Sequence, residues 1–323
     1  MNDVSNIFWE KKMKKLRIVE QNFLTLEEGC NKYLDNCRSR NLREGTINHY
    51  RQSYVQFAKF FDMNMQVSDL DEKMYQKYVV FLRETLHNDV SINSYLRDFI
   101  TTMHFLMREG YLPLFKMQAI KVDRSGVETY TDAELTALLK KPNIKKCSFT
   151  EYQCWVITNF LFSTAVRQRS LMHIRIKDID FDNNVIYVTV TKNRKTLIVP
   201  FNRTMCGILQ EFLKYRQHKS DDDFLFCNVF GKQLTKSTSY HMLYEYNKRR
   251  GVETTGIHRD RHTFAKQWIL SGGNVVSLSK ILGHSSLQIT QNYVNLLVSD
   301  VAKEVENINL LDKFATQERI RMR

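Results

Sequence analysis

Apolar residues recur at two different spacings along this chain. Behind Thr46, Tyr50, Tyr54, Phe57, Phe60 and Phe61 fall three or four apart, the spacing that lines one face of an α-helix. The same period runs through Met74, Tyr78, Val79 and Leu82 behind Asp69 or Asp71, and through Tyr95, Phe99, Met103 and Phe105 behind Ser91. An earlier helix opens at Thr25, where Glu28 completes a capping box, and carries Leu26, Tyr33 and Leu34. Gly110 stops the last of the four, and Tyr111-Leu112-Pro113 leads out. The pattern predicts a four-helix unit over 25–115 whose aromatic stripes form its core rather than platforms for bases. Arg51, Asn93 and Arg97 interleave with those stripes on polar faces, where contacts to phosphates would be made.

Residues 116–128 lose the period and read as a basic linker with Lys121 and Arg124. A second unit starts near Thr129, where Thr131 and Glu134 form another capping box ahead of Leu135, Leu138 and Leu139. Residues 148–163 are dense in aromatic and aliphatic side chains and predict a buried helix. The period then changes to two. Ile176 to Phe181 alternates, Asp182-Asn183-Asn184 makes a turn, and Val185–Val190 and Thr196–Val199 are β-branched runs. Three short strands in meander order follow, with Lys192, Asn193, Arg194 and Lys195 at the second hairpin and Pro200 ending the sheet. Helices resume at 203–217, at 237–249 and through 258–293, with a further helix over 299–311 ahead of a basic tail. The predicted fold class is mainly α with a small antiparallel sheet. An extension (1–24) and the four-helix domain precede an α+β domain over 129–298, and residues 299–323 follow it.

Composition narrows the partners. The chain has 323 residues, enough for two domains, and its 11 Gly and 3 Pro favour long regular elements. Its 48 Lys and Arg against 35 acids leave a formal charge of +13, which points to a polyanion, nucleic acid first. Six scattered cysteines without a Cys-x-x-Cys suggest neither a disulfide framework nor a zinc site, and fit a reduced cytoplasm. No apolar run reaches the roughly 18 residues of a membrane span. A cytosolic protein acting on nucleic acid is expected.

The chemistry gathers between His258 and Tyr293. His258 and Arg261 share a helix face, Gly283 ends a helix capped at Asn274, and His284 sits at the junction before the helix that carries Tyr293. Attack on a phosphodiester builds negative charge on its oxygens, which arginine forks stabilise without deprotonating. Arg261 is one such fork. Arg167 is a second, held at a turn behind a buried helix. Lys192, near the tip of the hairpin, can reach a leaving oxygen as a proton donor, and Tyr293 offers a nucleophile that needs cationic neighbours or a base. His262 is expected to be structural.

That order of residues resembles the tyrosine recombinases of the phage-integrase family. Thr164-Ala165-Val166-Arg167 resembles the first-arginine box, His258 to Ala265 the second box, and Leu282-Gly283-His284 through Tyr293 the third. The resemblance spans about 129–298, and the helical unit before it is more loosely similar to the SAM-like core-binding domain. It implies that Arg167 and Arg261 clamp the scissile phosphate and that Lys192 protonates the departing 5′ oxygen. His258 would assist proton transfer, His284 would hydrogen-bond a phosphate oxygen, and Tyr293 would form a 3′-phosphotyrosine link. It implies double-stranded DNA as partner, contacted also by Arg51, Asn93, Arg97, Lys121, Arg124, Arg194 and Lys195. A dimer on each site, a tetramer in synapsis, and no cofactor, metal or membrane are implied as well. Two departures stand out. Ser170 occupies a place where the family commonly has an acid, and the hairpin register leaves Lys192 and Lys195 both open as the general acid.

Among recombinases, the divergent first box leans toward integration and excision of a mobile element. The alternative is a resolvase of chromosome or plasmid dimers, of the Xer type. A non-catalytic DNA-binding protein of the same fold and a type IB topoisomerase are rivals, opposed by the intact polar set and by the helical unit with its linker. A kinase reading of His258-Arg259-Asp260 fails, because Ala265 stands where the catalytic Asn belongs.

Overall fold

Each helix of the first unit exists to bury one stripe. In the computed structural model, which describes residues 23–122, 128–191, 195–253, 256–284 and 286–295, these are α1 (Leu26–Ser39), α2 (Glu44–Phe57), α3 (Glu72–Thr85) and α4 (Asp89–Arg108). Thr25 and Glu28 close the expected capping box on α1. Asp71, not Asp69, caps α3 by accepting from the Met74 amide. α4 begins before Ser91, because Asn88 accepts from the amides of Val90 and Ser91 and so satisfies the first turn. α2 likewise starts ahead of Thr46, at Glu44. Phe57, Phe61, Tyr78 and Phe99 meet at the centre, with Phe61 and Phe99 stacked and Phe57 edge-on to both Tyr78 and Phe99. Residues 116–122 do not run free of this unit. Phe115, Met117 and Ile120 pack on its core, and the Tyr75 hydroxyl donates to the Gln118 carbonyl.

The chain divides between 124 and 125 into two units. The second is built on α6 (Phe149–Thr164), capped by Ser148 and buried on nearly every face. Around it pack α5 (Asp132–Leu139), α8 (Arg203–Tyr215), α9 (Lys236–Arg249) and α10 (Ile257–Leu270). Trp155, Phe160, Phe212 and Phe226 lie in this core. The sheet is a meander of β1 (Ile179–Asp180), β2 (Val185–Val188) and β3 (Leu197–Pro200), antiparallel throughout. One expectation needs correcting. The alternation from Ile176 yields one turn of 3₁₀ helix and then only two strand residues, since Asp178 folds back onto the Arg175 amide. Pro200 ends the sheet as expected, occupying its last rung opposite Val185.

A third, small core holds the end of the described chain. Ala165, Ala265, Leu278 and Leu282 surround Tyr293, drawing α10, α11 (Val275–Leu282) and α12 (Leu287–Asn295) together. Small residues at 165 and 265 let backbone approach the tyrosine ring closely. Gly273 serves the same purpose in the turn between α10 and α11. A Cβ there would lie 2.3 Å from the Trp268 indole nitrogen, which donates to the Asn274 carbonyl.

Candidate active site

Arg261 is the fixed point of the site. It lies on the buried face of α10 at 5% exposure, so its charge must be met by protein acceptors. Nη1 donates to the Ala165 carbonyl at 2.8 Å, and Nη2 donates to the Leu282 carbonyl at 2.5 Å and to His284 Nε2 at 2.9 Å. Both carbonyls are freed by helix ends. Ala165 closes α6 in the left-handed conformation (φ +50°), and Leu282 is the last residue of α11. One guanidinium therefore ties three elements that are distant in sequence. Burial and the neighbouring Arg167 lower its pKa to about 10, so it stays charged at neutral pH.

Arg167 differs. It follows the Ala165 turn, precedes the short helix α7 (Gln168–Leu171), is half-buried, and makes no side-chain hydrogen bond among the described residues. Its pKa is lowered by burial and raised again by Tyr293. A cation so placed has donors to offer an incoming anion.

His284 is oriented by both ring nitrogens. Nε2 accepts from Arg261, so Nδ1 carries the proton and donates to Thr290 Oγ1 at 2.8 Å. Its ring is nearly parallel to that of Tyr293, with centroids 6.4 Å apart. Burial, then Arg261 and Arg167, push its pKa down to about 4. Gly283 makes this placement possible, adopting φ +58° at the end of α11 with Leu197 of β3 only 3.1 Å from where a Cβ would be. The base of the lysine hairpin thus packs beside His284.

Tyr293 is 7% exposed on α12. Burial raises its pKa, while Arg261 and Arg167 work in the opposite direction. Its hydroxyl lies 2.7 Å from Nδ1 of His262, the hydrogen bond it makes among the described residues. His262 was expected to be structural, and the structure sets its ring against the Tyr293 hydroxyl. Nothing local distinguishes it, because its partner lies 31 residues away on another helix. His258, at the start of the same helix, presents an exposed ring. Desolvation by surrounding protein, then Arg261, Arg167 and Lys236, lower its pKa. Lys236, the first residue of α9, is a cation near the site that sequence reasoning passed over.

Lys192 and Arg194 lie outside the described residues, as do Arg124, the extension before Phe23 and the helix expected over 299–311. Lys195 is described and exposed, and its carbonyl accepts from Thr191 Oγ1 at 2.6 Å. Ser170, at the departure from the family pattern, donates to the Val190 carbonyl at 2.8 Å. It thereby ties the Arg167 turn to the hairpin through a neutral bond.

Of the expected DNA contacts in the first unit, Arg97 is exposed, whereas Arg51 already pairs with Glu44 at 3.0 Å and Asn48 at 2.7 Å. Asn93 is half-buried and its Oδ1 has no partner. Lys121 is exposed. Among the described residues no helix is long and apolar enough to cross a membrane, and no cluster of metal-ligating side chains occurs.

Residues 128–299 match the model of the phage integrase family, and residues 25–122 match that of the phage integrase SAM-like domain. The chain is 24% identical over 280 residues to the tyrosine recombinase XerD of Listeria monocytogenes serovar 1/2a, covering 82% of this chain and 93% of that protein. Its fold is similar to that of the Tn1549 transposon integrase in complex with transposon right end DNA (TM-score 0.71, 19% identity, 88% of this chain and all of that one). It is also similar to the XerH site-specific recombinase bound to a palindromic difH substrate (TM-score 0.64, 20% identity, 89% and 84% covered).

Proposed function

The chain belongs to the phage integrase family, and on that premise we propose that it is a site-specific tyrosine recombinase using Tyr293 as nucleophile. The carrying observation is the setting of that hydroxyl, which is buried among two arginines and two imidazoles at the meeting of α10, α11 and α12. The Tyr293 oxygen attacks the scissile phosphorus, a 3′-phosphotyrosine bond forms, and the 5′ oxygen leaves as a hydroxyl. The link conserves the energy of the broken bond, so rejoining draws on no nucleotide. Arg261 and Arg167 hold the phosphate oxygens, where preorganised donors stabilise the charge that develops. His258 and His284 serve proton transfer and phosphate binding, and Lys192 protonates the leaving oxygen.

A DNA duplex nicked just beyond the cleavage point tests this, since the short fragment diffuses away and traps the adduct. The parent chain should become covalently attached to the DNA and Tyr293→Phe should not. Binding without any adduct in the parent would favour a DNA-binding protein of the same fold, and efficient relaxation of supercoiled DNA lacking a specific site would favour a topoisomerase.

Duplex DNA is contacted by both units in this reading, with Arg97, Lys121 and Lys195 as exposed cations that agree with it. Binding should weaken steeply with salt as counterions are released. Exchange between two duplexes cuts four strands, and each protomer supplies one tyrosine, which supports a dimer on each site and a tetramer in synapsis. We assign the reaction to integration and excision of a mobile element, on the departure at Ser170. The similarity to XerD favours a second reading, the resolution of DNA dimers. Recombination assays decide between them: joining of element ends to a target supports the first, and exchange between two copies of one chromosomal site supports the second.

A further inference from the structure

Most of the buried phenols in this protein, such as Tyr78, have no base in contact, whereas the Tyr293 hydroxyl rests on an imidazole nitrogen. We propose that His262 is the general base of strand cleavage, taking the Tyr293 proton on Nδ1 as the Tyr293 oxygen attacks the phosphorus. This deepens the recombinase reading and rests on it.

The geometry is specific. His262 Nδ1 and the Tyr293 oxygen are 2.7 Å apart, within direct transfer distance. The other imidazoles are committed or remote. Arg261 occupies Nε2 of His284 and Thr290 its Nδ1, while the His258 ring stands 6.5 Å from that of His262 with no hydrogen bond to the tyrosine. His262 is half-buried on α10, next to the fully anchored Arg261, so its ring is carried by the same rigid element that fixes the phosphate clamp. The charged and titratable groups facing it are His258 and Arg261 on its own helix, Tyr293 from α12 and His284 from the junction between α11 and α12. Burial first, then His258 and Arg261, lower its pKa, which keeps it neutral and able to accept.

The proton balance closes. The Tyr293 O–H bond breaks as the O–P bond forms, and the proton moves to His262 while the P–O5′ bond breaks and the 5′ oxygen takes a proton from the hairpin lysine. Rejoining runs the same steps backwards, with protonated His262 returning its proton to the departing tyrosine.

The experiment compares parent, His262→Ala, His262→Asn and Tyr293→Phe on two nicked duplexes, one normal and one with a bridging sulfur in place of the 5′ oxygen. Sulfur leaves without a proton, so that substrate removes any need for a general acid and leaves the need for a base. His262→Asn keeps an acceptor near the Nδ1 position but cannot take the proton. Both His262 variants should bind DNA like the parent and form adduct on the order of 10²-fold more slowly or worse on both substrates.

Adduct formation by His262→Ala within a few-fold of the parent would overturn the proposal. So would a parental rate for His262→Asn, which would leave His262 only a positioning hydrogen bond. Rescue of His262→Ala by the sulfur substrate would move it to the leaving group, and loss of DNA binding in both variants would make it structural. Tyr293→Phe separates the two levels: if it forms no adduct, the nucleophile stands whatever His262 does, and if it forms one, both readings fall.

Discussion

Two buried tyrosines in two cores show what burial does and does not make of a phenol. Tyr78 sits at the centre of the first unit among Phe57, Phe61 and Phe99, fully buried, with a hydroxyl that has no hydrogen-bond partner. Burial pushes its pKa far up, and nothing cationic opposes the shift. Tyr293 is almost as buried, but its oxygen meets His262 and lies in the field of Arg261 and Arg167. Desolvation alone holds a proton on. Desolvation beside fixed cations and a neutral imidazole is the setting that the proposed nucleophile requires, since interactions among charges strengthen where water is excluded.

The sharpest contrast comes from removing each hydroxyl. Tyr293→Phe should abolish the covalent protein–DNA adduct while binding persists in a gel-shift assay. Tyr78→Phe should leave the adduct rate unchanged and shift unfolding free energy by no more than about 1 kcal/mol, since a hydroxyl without a partner is lost. A catalytic defect in Tyr78→Phe would break the comparison.

Next in size is the loss of a cation. Arg261→Lys retains the charge but cannot bridge the Ala165 carbonyl, the Leu282 carbonyl and His284 at once. Adduct formation should fall roughly 10²–10³-fold in single-turnover kinetics. Arg167→Lys, which has no such internal ties to lose, should be the milder of the two.

The first core answers to volume instead. Phe99→Ala should destabilise its unit by about 3–5 kcal/mol in a urea titration, because the ring packs against Phe57, Phe61, Tyr75 and Tyr78. Asp98 borders that core, accepting from Ser53 at 2.5 Å and from His49 at 2.9 Å.

The smallest effect is a pH slope. His284 has its pKa pushed down to about 4 from an ordinary 6.5, so between those values the unfolded chain binds a proton that the folded one refuses. Stability is therefore unaffected by His284 above 6.5 and falls as the pH drops from 6.5 to 4. Thermal melts of the parent and His284→Asn across that range should show a shallower acid slope in the variant.

Much of this was legible in the chain because it is written locally. Both capping boxes, the Asn274 cap, the left-handed Gly283 and the β-branched hairpin follow from residues a few positions apart, and they form where expected. The boxes carrying Arg167, His258, Arg261, His284 and Tyr293 were equally visible. Element starts were less so at α2, whose N-cap Arg43 makes no side-chain cap, and at α4, where Asn88 rather than Ser91 caps the first turn.

What the sequence could not hold was the partnership across the site. His262 follows Arg261 directly, yet the two point to different neighbours: Arg261 to the ends of α6 and α11, His262 to a hydroxyl on α12. Helical spacing fixes which way each side chain leaves its helix. Only the packing of α10 against α11 and α12, around the small residues Ala165 and Ala265, decides what it meets there.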